Sequence, residues 1–219
     1  MDVNLSDEQQ MMVDSAREFL RDACPLATVR DWEKLPDRYP REIWARMAEM
    51  GWTGAIYPET HGGMGLTNLD MALLMREMGR VALPSPILST VLLAGRAVLE
   101  GGNEEQKQSL LPKIAAGELL LSFALTEASA QPDAATVKTS ARAVDGGYVL
   151  NGTKHFVEFA EQAGRMLVVA RTRESAHPEQ GLTMFLVPLN APGITMRRIT
   201  EVNGNEEFCE EFFDNLELG

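Results

Sequence analysis

The stretch Ala115-Ala116-Gly117-Glu118-Leu119-Leu120-Leu121-Ser122-Phe123-Ala124-Leu125-Thr126-Glu127 is where the chain changes its period. Upstream of it, apolar residues recur at three- and four-residue spacing. Downstream they fall into short runs bounded by turn residues. Helices come first and strands second, which predicts an α+β fold: an N-terminal all-helical domain over residues 1–118, then a small antiparallel β-barrel or sandwich domain over 119–219.

On the helical side, Ser6 precedes Gln9 by three residues, the spacing at which each side chain satisfies the other's backbone N–H. Met12, Ala16, Phe19, Leu20 and Ala23 follow on one stripe until Pro25 stops it. A second helix is predicted from Pro40, with Ile43, Trp44 and Met47 inward and Gly51 just past its end. Asn68 is the predicted cap of a third, on which Met71, Leu74, Met75 and Met78 repeat, and Gly79 is its predicted stop. Pro86 opens a fourth, carrying Ile87, Val91, Leu92 and Leu99. Asn103 and Gln106 repeat the capping spacing ahead of Leu110, Leu111 and Ile114, and Pro112 predicts a bend or an early end. On the strand side the runs are 121–126, 136–144, 148–151, 166–171, 182–188, 193–197 and 207–213. Asp145-Gly146-Gly147 between two of them is a hairpin signal, because Asp-Gly and Gly-Gly tolerate positive φ. Residues 172–180, polar and holding His177-Pro178, form the expected surface loop.

A formal charge of -12, from 20 Lys and Arg against 32 Asp and Glu, argues against a nucleic-acid partner. Cys24 and Cys209 lack CxxC spacing, so neither a disulfide framework nor a zinc site is expected, and a reducing cytoplasm is the expected home. The start Met1-Asp2-Val3-Asn4-Leu5-Ser6-Asp7-Glu8 is acidic where a signal peptide is basic and then apolar. No apolar run approaches the ~18 residues of a membrane span.

His61, His155 and His177 sit in separate segments without i, i+4 pairing, so no metal site is expected from them. His61-Gly62-Gly63-Met64-Gly65 invites a phosphate-loop interpretation, but it lacks the Gly-Lys-Ser/Thr ending and the third glycine of the dinucleotide fingerprint. A structural turn is the favoured account. The methionine stripe is core by its spacing rather than a plastic binding surface. Thr126-Glu127, ending an apolar strand, can present a hydroxyl and a carboxylate to a polar ligand edge; the competing account makes Glu127 a structural carboxylate capping the next turn.

Several segments, taken in order, resemble the acyl-CoA dehydrogenase family. They are Gly51-Trp52-Thr53-Gly54, Pro58-Glu59-Thr60-His61-Gly62-Gly63-Met64-Gly65, Glu77-Met78-Gly79-Arg80 and Glu105-Gln106-Lys107 with Leu111-Pro112 and Ala116-Gly117-Glu118. In the second half they are Ala124-Leu125-Thr126-Glu127 with Asp133, Leu150-Asn151-Gly152-Thr153-Lys154, and Phe212-Phe213-Asp214-Asn215-Leu216. The resemblance implies helical and β domains followed, in the family, by a third helical domain that carries the catalytic glutamate, so no catalytic residue is expected in this chain. It implies FAD as cofactor, an acyl-CoA substrate desaturated at its α,β bond with hydride passing to the flavin, an electron-transfer flavoprotein or similar acceptor, a role in lipid β-oxidation, and a homodimer or tetramer.

By the same resemblance, Phe123, Leu125 and Thr126 lie against the flavin ring, followed by Phe156, Val157 and Glu158 where the family has W-x-S/T. Gln131 and Pro132 stand in its G-x-G-S-D segment, which holds phosphate and substrate. Glu158 replaces a small hydroxyl, Gln131 a glycine, and Pro132 a serine together with its N–H donor. These changes cluster in the site and spare the scaffold. They keep open a non-catalytic subunit that forms a heteromer with an active relative, and a flavin oxidase or monooxygenase on the same fold is a third account.

Overall fold

A computed structural model of the 219-residue chain describes residues 4–32, 34–131, 133–202 and 204–219. It holds α1 (Asp7–Ala23), α2 (Leu26–Trp32), α3 (Arg41–Glu49), α4 (Asn68–Arg80), a π-helix at Leu88–Gly95, α5 (Arg96–Gly101) and α6 (Glu104–Ala115). Strands β1 (Leu121–Ala124), β2 (Ser140–Val144), β3 (Gly147–Glu158), β4 (Arg165–Arg171), β5 (Leu182–Pro188), β6 (Ile194–Ile199) and β7 (Phe208–Leu218) follow. Two compact units result. One is the chain up to Ile87 with Arg96–Leu119; the other is Leu88–Gly95 with Leu120–Gly219. Among the described residues, no helix is long and apolar enough to cross a membrane.

In the helical unit, α1 begins at the reciprocal Ser6–Gln9 capping box and α6 at the equivalent Asn103–Gln106 box. The cap of α4 is Thr67, one residue before the predicted Asn68: its hydroxyl accepts from Asp70 N, and the Asp70 carboxylate accepts from Thr67 N at 2.8 Å. That helix also continues through Gly79 to Arg80, where Arg80 ion-pairs with Glu77 at 3.1 Å. Arg17 and Arg76 contact the same buried carboxylate, and the hydrogen bond from Arg17, above all, holds Glu77 below its usual pKa. Helix α6 runs through Pro112 to Ala115. The ring removes one hydrogen bond near the helix end, and full burial of Leu111 and Ile114, at roughly 1.5–3 kcal/mol each, outweighs that loss. Gly63 lies against the Tyr57 carbonyl so closely that a Cβ would collide with it, which accounts for the His61–Gly65 segment as a packed turn.

The seven strands of the second unit form one sheet in the order β1-β4-β2-β3-β7-β6, with β5 paired to β4. The sheet is mixed rather than purely antiparallel. β1 pairs with β4 in parallel over four residues, which the long connection between them permits. The Asp145-Gly146-Gly147 hairpin joins β2 to β3, with Gly146 at φ 81°. β3 is far longer than the 148–151 run suggested, because two register shifts against β7 let pairing continue past Gly152 and past Lys154.

Leu88–Gly95 packs with this sheet. Thr90 Oγ1 donates to the Leu121 carbonyl at 2.9 Å and accepts from Leu121 N at 3.1 Å. Its π winding advances the apolar stripe, so Ile87, Val91, Ala94 and Val98 are buried and the predicted Leu92 and Leu99 are only partly so.

Candidate functional site

After Ala124 the chain leaves the sheet, and a buried ammonium fixes the exit. Lys154 Nζ donates to the Leu125 carbonyl at 3.1 Å and to Glu127 Oε1 at 2.8 Å. Glu127 also accepts from Lys138 N at 2.7 Å and Thr139 N at 2.9 Å, while His155 N donates to the Thr126 carbonyl at 2.9 Å. Burial pushes the Glu127 pKa up, but the bonds from Lys154 and the two N–H groups outweigh it, and the net shift is downward. Glu127 is thus a fully occupied structural carboxylate, and its role is to hold Leu125 and Thr126 in place.

Leu125 and Thr126 then line a cavity of about 310 Å³ with Phe123, Phe156, Glu158, Leu88, Ser89 and Leu93. Phe156 reaches it through the second register shift of β3: its φ is 56°, in the left-handed region that a bulky residue adopts only under constraint, and the side chain is 48% exposed. Such a conformation costs about 1–3 kcal/mol and is kept where the surroundings impose it. Phe208 supports the ring edge-on, with centroids 6.1 Å apart. Leu88, Ser89 and Leu93 come from the π-helix, whose i→i+5 winding brings residues 88 and 93 to one face. Sequence periodicity of 3.6 could not place them there. Glu158 is the one titratable group in the lining among the described residues. Burial, and then the Glu207 charge, raise its pKa, which favours the neutral carboxyl.

Five of the residues expected around the cofactor therefore share one cavity: Phe123, Leu125, Thr126, Phe156 and Glu158. Val157 does not. It is fully buried in the sheet core with Leu150 and Phe213, on the opposite side of the strand from its neighbours. Gln131 is exposed, and its carbonyl accepts from Thr136 Oγ1 at 2.9 Å. Pro132 lies outside the described residues. No group of three or more His, Cys, Asp or Glu suited to a metal ion occurs among the described residues.

A second carboxylate escaped sequence analysis altogether. Glu211 stands opposite Lys154 in the β3–β7 ladder, is fully buried, and neither of its carboxylate oxygens has a hydrogen-bond partner among the described residues. Lys154 is already committed to Glu127. Burial, reinforced by the Glu161 charge, pushes the Glu211 pKa up to about 8.

The cavity is thus walled by Phe123 and Phe156 and lies in the sheet-bearing unit. Residues 6–118 match the acyl-CoA dehydrogenase N-terminal domain and residues 122–216 the acyl-CoA dehydrogenase middle domain, so the chain belongs to the acyl-CoA dehydrogenase family. It is 34% identical to the acryloyl-CoA reductase (NADH) of Anaerotignum propionicum over 224 aligned residues, covering 100% of this chain and 56% of that protein. Among solved structures, a chain from the electron transferring flavoprotein of Acidaminococcus fermentans is similar at TM-score 0.86 and 32% identity, covering 100% of this chain and 58% of the other. Glutaryl-coenzyme A dehydrogenase in its glutaryl-CoA complex is similar at TM-score 0.86 and 28% identity, with 100% and 56% covered. The chain spans about half the length of the curated relatives it matches.

Proposed function

We propose that this chain is the portion of a flavin-dependent acyl-CoA dehydrogenase that holds FAD, with the helical domain in 1–118 and the flavin-facing β domain in 119–219. The supporting observation is the strained, half-exposed Phe156 on the rim of a cavity that it shares with Phe123, Leu125, Thr126 and Glu158. When bound, a flavin supplies a hydride acceptor for a substrate losing its α-proton. The residues present fit such a ring. Phe123, Leu125, Phe156 and the two leucines offer apolar faces that exclude water, and the Thr126 hydroxyl, which makes no hydrogen bond among the described residues, is available to a polar edge. Glu158 adds a polar group to the lining, and burial makes its carboxyl easier to protonate than an ordinary glutamate.

The acyl-CoA substrate, an electron-transfer flavoprotein as acceptor, a homodimer or tetramer, and cytoplasmic β-oxidation complete the proposal. Two buried, unpaired cysteines support a reducing compartment. The test is the visible spectrum of the full-length gene product, before and after anaerobic addition of an acyl-CoA panel. A flavin band bleached by one thioester supports the dehydrogenase. A second account, a non-catalytic subunit paired with an active relative, is favoured by the carboxyl of Glu158 where the family has a small hydroxyl. A protein that stays colourless after FAD is added would replace the first proposal with the second.

A further inference from the structure

Lys154 stands between two buried carboxyl groups and serves only one of them. In the β3–β7 ladder it lies directly opposite Glu211, and directly opposed residues of an antiparallel pair share a face, with Cβ atoms roughly 5 Å apart. That face is the core of the sheet, since Cys209 and Phe213, two positions to either side of Glu211, pack with Leu150 and Val157. The ammonium nevertheless reaches to the chain leaving β1. Two of its three N–H groups go to Glu127 at 2.8 Å and to the Leu125 carbonyl at 3.1 Å, and the third has no partner among the described residues. Both oxygens of Glu211 are likewise without a partner there. A fully buried acceptor and a fully buried spare donor thus occupy facing positions of one ladder, and pairing them would relieve the desolvation cost of both.

The proton on Glu211 keeps them apart. Burial, and then the Glu161 charge from the turn before β4, favour its neutral form. Arg198 of β6, which would offset Glu161, is taken up by Glu161 itself at 2.7 Å and by Glu206 at 3.3 Å. Burial pushes the Cys209 thiol on the same strand up to about 12, so it carries no charge, and the β6 residue opposite Glu211 is the uncharged Met196. A neutral carboxyl offers the ammonium no more than the Leu125 carbonyl does. A carboxylate adds a full negative charge in a low-dielectric interior, where opposite charges attract far more strongly than in water. Of the two bonds Lys154 now makes, the one to Glu127 has a charge behind it; the one to the Leu125 carbonyl is longer and has none. The carbonyl is the partner that gives way.

We propose that Glu211 is a positioning residue which, once ionised, draws the Lys154 ammonium from the Leu125 carbonyl and so loosens Leu125 and Thr126 at the Phe156 cavity. Those two residues line the cavity and are tied to β3 by Lys154 at the Leu125 carbonyl and by His155 N at the Thr126 carbonyl, so the change reaches the cavity through the first tie. Below the titration of Glu211 the cavity wall is held; as pH rises through it, the hold is lost. This deepens the proposed function, and only its effect on flavin binding rests on that reading.

The test is carbonyl-carbon NMR of the isotopically labelled 219-residue chain at pH 6 and pH 8.5, in wild type and in Glu211→Gln. Between the two pH values the Leu125 carbonyl resonance should move in wild type, in the direction of a lost hydrogen bond, and stay in place in the variant. A resonance that is unmoved in wild type, or that moves equally in both proteins, overturns the proposal. Riboflavin binding, followed by quenching of its fluorescence, reads the effect at the cavity. The affinities of the two proteins should agree within about twofold at pH 6, with wild type weaker by roughly fivefold at pH 8.5, the effect of one net hydrogen bond. Equal affinities at pH 8.5 overturn the link to the cavity. Absence of riboflavin binding by both proteins at both pH values would count against the flavin reading instead, and the carbonyl resonance would still decide the role of Glu211.

Discussion

Replacing Glu211 by glutamine isolates the cost of burying a carboxyl group opposite an ammonium that is already in use. The folded-state pKa of about 8, against 4.5 for the ordinary glutamate, keeps Glu211 protonated in the folded protein while the unfolded chain ionises. Because the folded pKa is raised, the stability contribution is fully present below pH 4.5 and is lost as pH rises towards 8. At about 1.4 kcal/mol per pH unit, the span between the two values corresponds to about 5 kcal/mol; water penetration and relaxation around Cys209 and Phe213 lower the expected difference to roughly 3 kcal/mol. Glutamine keeps the shape and cannot ionise.

Urea unfolding of wild type and Glu211→Gln should therefore agree within about 1 kcal/mol at pH 5, with the variant more stable by roughly 3 kcal/mol at pH 8.5. Circular dichroism is the suitable probe, since Trp32, Trp44 and Trp52 all lie in the helical unit. A stability difference that stays constant from pH 5 to 8.5 would refute the account, because it would place the titration of Glu211 outside the folding equilibrium.

Lys154→Met strands the Glu127 carboxylate without its ammonium and should cost about 3–5 kcal/mol by the same urea assay; Lys154→Met with Glu127→Leu should recover much of that loss. Gly63→Ala drives a methyl group into the Tyr57 carbonyl and should lower the tryptophan-monitored thermal midpoint of the helical unit by several degrees, about 2 kcal/mol or more. Phe156→Gly removes an aromatic contact but also relieves a left-handed phenylalanine, so its unfolding free energy by the urea assay should stay within about 1 kcal/mol of wild type while flavin retention, read by absorbance, falls. A loss of 3–5 kcal/mol, the size expected for a core phenylalanine, would instead make Phe156 part of the packing.

The parts legible in the sequence are those written in short-range chemistry. Ser6 with Gln9, Asn103 with Gln106, the stop at Gly51 and the Asp145-Gly146-Gly147 hairpin each depend on residues within three or four positions. Thr67 was passed over for Asn68 because both are capping residues, and the choice between them turns on the reach of Asp70. Five residues of the candidate cavity are legible in the sequence, Phe123, Leu125, Thr126, Phe156 and Glu158. The three from the π-helix are not. Leu88 and Leu93 join it through a π winding that no periodicity of 3.6 encodes, and Val157 leaves it because a register shift sets which neighbour faces outward. The Glu127–Lys154 bond spans 27 residues, and the ladder that sets Glu211 against Lys154 spans more, so neither leaves a local trace.

The π-helix also governs how this molecule can be taken apart. Since Leu88–Gly95 belongs with the sheet while its flanks on both sides belong with the helices, no single cut releases two whole pieces. Residues 120–219 expressed alone would lack the Thr90 hydroxyl that caps β1 and would leave β1 uncovered along that face. Supplying 88–95 as a separate peptide, or fusing it ahead of Leu120 through a flexible tether, is the minimal repair. The same crossing means that recombination between relatives at the helix–sheet junction alone would exchange the sheet and leave its covering segment behind.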